Sequence, residues 1–186
     1  RDADLLAELA RFDAVSVNVS VTTLDPKLAR SLEPRASQPH QPLRAIEALR
    51  RAGVPVNAMV APIIPGLNDH EIPRILEAVR DAGAQGAASI VLRLPHGVKQ
   101  LFEDWLDRHA PERKQRVLAL VRDVRGGRLN DARFGTRMRS EGPYAEQLRS
   151  LFEVQRRRHG LDAPRRELSA AHFRRPGGAQ LELGFE

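Results

Sequence analysis

The feature that most limits what this chain can fold into is a rhythm of three strand-like segments, each followed by a helix-like one. The strand-like segments cover residues 14–23, 54–64 and 87–94. The first, AVSVNVSVTT, alternates with period two. Val15, Val17, Val19 and Val21 therefore point one way, and Ser16, Asn18, Ser20 and Thr22 the other. The second, VPVNAMVAPIIPG, is apolar nearly throughout, the pattern of a strand covered on both faces. Leu43, Ile46 and Leu49 fill the interval at helical spacing, and Ala52-Gly53 supplies a stop in which glycine takes the left-handed cap. A second such stop, Ala82-Gly83, ends the helix expected over residues 70–82. Asn68 or Asp69 is placed to accept that helix's free first-turn amides, and Pro73 is tolerable because it lies near the start. Right-handed crossovers make the neighbouring strands parallel. The fold class that follows is α/β: a partial parallel (β/α) barrel, its last three β-α units, with a helical C-terminal extension. Barrel sites form at the carboxyl ends of strands, which singles out residues 20–23, 61–69 and 93–96.

The rhythm stops after Pro95. Residues 99–109 and 112–125 read as two helices broken at Ala110-Pro111, the first with an apolar stripe of Leu101, Phe102, Trp105 and Leu106. A glycine-punctuated loop, RGGRLNDARFGTRMRSEGPYAEQL, runs into a helix over about residues 144–159. Beyond Leu161 the chain is rich in Arg, Pro and Gly, a composition that buries little. The expected organisation is half a barrel over 1–97, a helical extension over 98–160 and a poorly ordered tail over 161–186. The chain opens inside a helical pattern, RDADLLAELARF, without Met, so a piece of something longer is expected.

Cysteine is absent, which excludes disulfides, thiol nucleophiles, cysteine zinc sites and any iron–sulfur cluster ligated by this chain alone. The six histidines show no metal-binding spacing, and no GxGxxG, Walker or GxSxG string occurs. No apolar run approaches the ~20 residues that span a bilayer, and no signal segment opens the sequence. A cytoplasmic protein without membrane contact is expected. The net charge is +6, and all but Lys27, Lys99 and Lys114 of the 30 basic residues are arginine. That bias fits either an arginine-rich genome or a nucleic-acid partner whose phosphates a basic patch attracts.

Taken in order, VSVTTLDPKLARSLEPRAS, LRAIEALRRAGVPVNAMVAPIIPGLND and LNDARFGTRMRSEGPYAEQL resemble the C-terminal half of radical S-adenosylmethionine (radical SAM) proteins, in particular bacterial proteins similar to spore photoproduct lyase. The resemblance covers roughly residues 1–155. It implies an enzyme with a partial (β/α)6 barrel and a [4Fe–4S] cluster held by three cysteines of a CxxxCxxC-type loop. The implied reaction is reductive cleavage of S-adenosylmethionine (SAM) to a 5′-deoxyadenosyl radical, which abstracts hydrogen from an unknown substrate. That cysteine loop has no counterpart here. The resemblance implies that the chain corresponds to strands four to six, that its partner is the missing N-terminal half of the same protein, and that it is inactive alone.

The resemblance also implies part of a SAM pocket. Ser20 and Thr22 fall at the ribose or methionyl contact, where hydroxyls donate and accept. Arg35, in LEPRAS, falls where relatives pair a basic residue with the SAM carboxylate, a role suited to a bidentate fork; a solvated surface charge is the alternative. Ala61, Pro62 and Ile63 are the implied adenine wall. Asn57 is either a lumen contact or a buried, satisfied amide, and Arg93 either reaches substrate or balances charge in the lumen.

Two stretches suggest partners. Arg125, Arg128, Arg133, Arg137 and Arg139 interleave with Phe134 and Tyr144, a mixture suited to the phosphates and base faces of DNA or RNA, or else to carboxylates of neighbouring helices. Gln180, Leu183 and Phe185 fit a QxxLxF pattern that resembles the short peptides with which bacterial proteins dock on the replication sliding clamp; a tail packed on its own domain is the alternative. The competing reading of the whole is a non-catalytic, basic nucleic-acid-binding or clamp-docking module. A third is half the barrel of a cluster-free lyase or aldolase. The strand edge beside residues 14–23 is expected to pair or aggregate if the piece stands alone.

Overall fold

The computed structural model describes residues 2–130, 139–164 and 166–174. Helix α1 (Ala3–Ala10) leads into strand β1 (Val17–Ser20), followed by α2 (Pro26–Leu32), α3 (His40–Arg51), β2 (Val56–Ile63), α4 (Ile72–Asp81) and β3 (Gly86–Val91). Three helices follow: α5 (Val98–His109), α6 (Lys114–Asp123) and α7 (Pro143–Arg158). The strands lie in the order β1-β2-β3 and both pairings are parallel. This is an α/β arrangement compatible with part of a (β/α) fold; the described residues close no barrel.

Each strand is shorter than its apolar run. Val54, Ile64 and Leu94 lie outside the ladder yet remain buried in the flanking turns, as do Val21 and Leu92, whose amides still donate to the Met59 and Ile63 carbonyls. On β1 the valines turn inward while Asn18 and Ser20 are exposed. On β2, Val56, Ala58 and Val60 are buried and Asn57, Met59 and Ala61 only half-buried. Equal cover on both faces, which its composition suggests, is therefore not what β2 has. Register places Asn18 beside Asn57 and Ser20 beside Met59, so these side chains share one open face.

The opposite face is closed. Ile46 of α3, Ile75, Leu76 and Val79 of α4, and Leu148 and Phe152 of α7 form one core with Val56, Ala58 and Val60. Helix α7 packs beside α4 and against β3, so it takes the place of the helix that should follow β3. Helices α5 and α6 intervene. Their Phe102, Leu106, Val117 and Val121 close a second core over Ile64, Leu67, Leu92 and Leu94, all just past the carboxyl ends of β2 and β3. Leu101, part of the apolar stripe in the sequence, is exposed.

Local chemistry explains most boundaries. Gly53 and Gly83 adopt φ of 78° and 99°, the left-handed stops that Ala-Gly announces. Helix α2 has no counterpart among the helices expected from sequence, although Asp25 accepts from the Lys27 amide at 2.8 Å and Pro26 opens its first turn. Asn68 and Asp69 do not cap α4; a 3₁₀ turn, Asp69–Glu71, precedes it and their side chains turn elsewhere. Helix α1 buries no residue and exposes Leu5 and Leu9, with Phe12 just beyond it. Residues 166–174 return to this end, where the Ser169 amide donates to the Asp13 carbonyl at 2.9 Å and His172 meets the Phe12 ring. No helix of the described residues is long and apolar enough to cross a membrane.

Candidate functional site

The carboxyl ends of β1 and β2 meet on the open face. The Thr22 hydroxyl donates to the Ala61 carbonyl at 3.0 Å, with Glu33 Oε2 a more distant acceptor at 3.4 Å. Its proton is thus committed, and what Thr22 offers a ligand is a lone pair. Ser20, two positions back on the same face, is exposed and has no hydrogen-bond partner among the described residues. Ala61 and Pro62, joined by a cis peptide, are both half-buried. Ile63 departs from the sequence expectation. The register shifts between Val60 and Ile63, so Ala61 and Pro62 face outward in succession and Ile63 turns into the core, 2% exposed. It is no wall for a ligand on the open face.

Three residues of the turn after β2, Asn68 and Asp69, expected as helix caps, and Glu71, unassigned from sequence, hold these ends in place. Asn68, 2% exposed, accepts from the Ile64 amide at 2.6 Å and donates to the Thr22 carbonyl at 2.8 Å and the Pro62 carbonyl at 3.1 Å. Glu71 accepts from the Thr23 hydroxyl at 2.5 Å and the Leu24 amide at 2.8 Å. Asp69 accepts from the Gly66 and His70 amides at 2.8 and 3.0 Å, and from the phenol of Tyr144 on α7. Burial foremost, then that hydrogen bond and the carboxylate's charge, push the Tyr144 phenol up to about 12. The only sequence signal for this network is the density of short polar side chains in PGLNDHE.

Arg35 is exposed in the turn after α2. Asn57 stands at the amino end of β2, about 20 Å along the strand from Ile63 at ~3.3 Å per residue. There it is half-buried and donates to Ser16 Oγ at 3.1 Å. Arg93, half-buried, follows β3 by two residues. Arg125 is buried rather than available to phosphates. Its guanidinium donates to the carbonyls of Val91 (2.8 Å), Leu92 (3.0 Å) and Arg139 (2.7 Å). Arg133, Phe134 and Arg137, and the tail residues Gln180, Leu183 and Phe185, lie outside the described residues.

Clefts elsewhere run between helices. One of about 750 Å³ is lined by Lys27, His70, Arg74 and Trp105, and another of about 700 Å³ lies between β3 and α7. Among the described residues no group of three His, Asp or Glu could hold a metal ion.

Residues 1–79 match the Radical SAM superfamily. The match takes in β1, β2 and most of α4, the elements that build the paired strand ends, and stops before β3. An uncharacterized protein of Mycobacterium tuberculosis and another of Mycobacterium bovis are each 37% identical over 124 residues, 66% of this chain and 36% of the relative. An uncharacterized protein of Acidianus two-tailed virus is 40% identical over 65 residues, 35% of this chain and 21% of the viral protein. The chain thus spans about a third of the length of the mycobacterial relatives it matches.

Proposed function

We propose that this chain is the C-terminal part of a radical SAM enzyme and forms one wall of its SAM pocket. The observation that carries this reading is the meeting of two parallel strand ends, within the superfamily-matching stretch, on a sheet face that no described residue covers. The donor set fits SAM there. Ser20 has an uncommitted hydroxyl and Thr22 a lone pair for ribose or amino-acid groups, while Ala61 and Pro62 offer a small apolar surface to adenine. SAM supplies radical chemistry once it is reductively cleaved; the part of these residues is to bind and orient it. The [4Fe–4S] cluster does not fit this chain, which has no thiolate to ligate it.

Three features around β1 support a preceding half barrel that brings the cluster. The outer edge of β1 is unpaired among the described residues, the Asn18–Ser20 face is open, and Leu5, Leu9 and Phe12 are exposed. Parallel sheets are ordinarily covered on both faces. Placement beside the spore photoproduct lyase-like proteins rests on the sequence strings alone, and the substrate is unassigned.

The test uses the protein with its preceding half and a reconstituted cluster. Arg35→Ala should raise the Kd for SAM about tenfold if its fork meets the SAM carboxylate, and Ser20→Ala should raise it less. Unchanged affinity in both variants discards the pocket. A wild-type protein that binds no SAM discards the whole reading.

A further inference from the structure

We infer that Asn68 and Glu71 are positioning residues of that pocket, fixing the spacing between the carboxyl ends of β1 and β2; the inference rests on reading those ends as the SAM site. The β1 ladder runs out at Val21, whose amide donates to the Met59 carbonyl at 2.9 Å. Beyond it, Thr22, Thr23 and Leu24 need other partners, and the turn after β2 supplies them. Asn68 places one amide hydrogen on the Thr22 carbonyl and the other on the Pro62 carbonyl, while its oxygen takes the Ile64 amide. A single carboxamide thereby bridges both strand ends and the turn between β2 and α4. Aspartate would lose both donors, and glutamine is one methylene too long for the same three atoms.

Glu71 continues the staple. One oxygen takes the Thr23 hydroxyl and the other the Leu24 amide, and Thr23 Oγ1 in turn accepts from the Asp25 amide at 3.0 Å. Three successive residues after β1 are thus held by two side chains after β2, and the buried Thr23–Glu71 bond counts for more than it would at the surface. The residues named as ligand contacts, Thr22, Ala61 and Pro62, are the ones whose backbone this staple touches or adjoins. Loosening it should alter how well the two ends fit a ligand, with little effect on the chemistry of a bound one.

Glu71→Gln keeps one acceptor and loses the other; Asn68→Asp keeps the acceptor and loses both donors. In the cluster-reconstituted protein with its preceding half, well below the melting temperature, Glu71→Gln should raise the SAM Kd by equilibrium dialysis about three- to tenfold, and Asn68→Asp more. KM for SAM should rise in step while kcat at saturation stays close to wild type. Hydrogen exchange at the Leu24 amide should quicken in the ligand-free Glu71→Gln protein. A lowered Tm with unchanged Kd and KM would make these residues merely structural and overturn the inference. Should Asn68→Asp fail to fold, Glu71→Gln decides alone. If wild type binds SAM and Glu71→Gln binds it equally, only this inference falls. If wild type does not bind SAM, the pocket reading fails first and takes this inference with it.

Discussion

On one face of the sheet Val56 and Ala58 have no exposed surface, sealed beneath α3, α4 and α7; on the other, Asn18, Ser20 and Ala88 stand in solvent. The same strands build both faces, yet the residues divide by role. Branched aliphatics on the closed face stabilise the fold through burial, at about 25 cal/mol per Å² of apolar surface removed from water. Hydroxyls, amides and small side chains on the open face lose little by being wet, and stay available to a ligand or to a further layer of protein. Stability and chemistry are thus written into alternate positions of a single strand.

That contrast can be broken most directly by paired substitutions. Leu76→Ala, in the closed core, should cost about 2–5 kcal/mol, and Ser20→Ala should stay within about 0.5 kcal/mol, both read from urea midpoints. A comparable loss at Ser20 would show that the open face is covered in solution. A smaller effect sharpens the boundary between the faces. An added Cβ at Gly86 would lie 2.8 Å from Asn57 Oδ1, displacing the amide that bonds Ser16, so Gly86→Ala should cost about 1 kcal/mol. Gly97→Ala, with nothing within 4 Å of its Cβ, should cost nothing measurable.

Tyr144→Phe should cost about 1 kcal/mol at neutral pH, for one hydrogen bond to a carboxylate at a half-buried site. Its pH dependence is more telling. The folded phenol titrates near 12 against 10.0 for the ordinary group, so the unfolded chain releases that proton first as pH rises. The advantage of wild type over Tyr144→Phe should be full below pH 10 and fade between about 10 and 12. A difference that persists unchanged to pH 12 would remove the Tyr144–Asp69 bond from the account.

The strands, the alternation on β1 and the two glycine stops are legible in the sequence because period and φ preference are local properties. The outward turn of Ala61 and Pro62 is not, since a register shift depends on the neighbouring strand as much as on the residues that carry it. A helix cap is the natural expectation for Asn68, because a short polar side chain ordinarily bonds its near neighbours; beside its near partners Ile64 and Pro62 it also bonds Thr22, 46 residues away. Surface charge is the natural expectation for Arg125, and the carbonyls of Val91, Leu92 and Arg139 that converge on it help make its burial tolerable. The helical pattern of α7 is plain, but nothing in it says that Leu148 and Phe152 share a core with Val60 and Leu76. Asp25-Pro26, by contrast, is a readable helix start, and α2 is the one helix whose absence from the sequence expectation has no long-range cause.

The Arg125 guanidinium is flat and rigid, and it grips the tip of β3 on one side and the segment feeding α7 on the other. A shift at β3's tip, where Arg93 emerges, would travel through it to α7 and onward by Tyr144 to the turn after β2. The carboxyl ends of β2 and β3 are in this way joined by a second route, outside the ladder that pairs their strands.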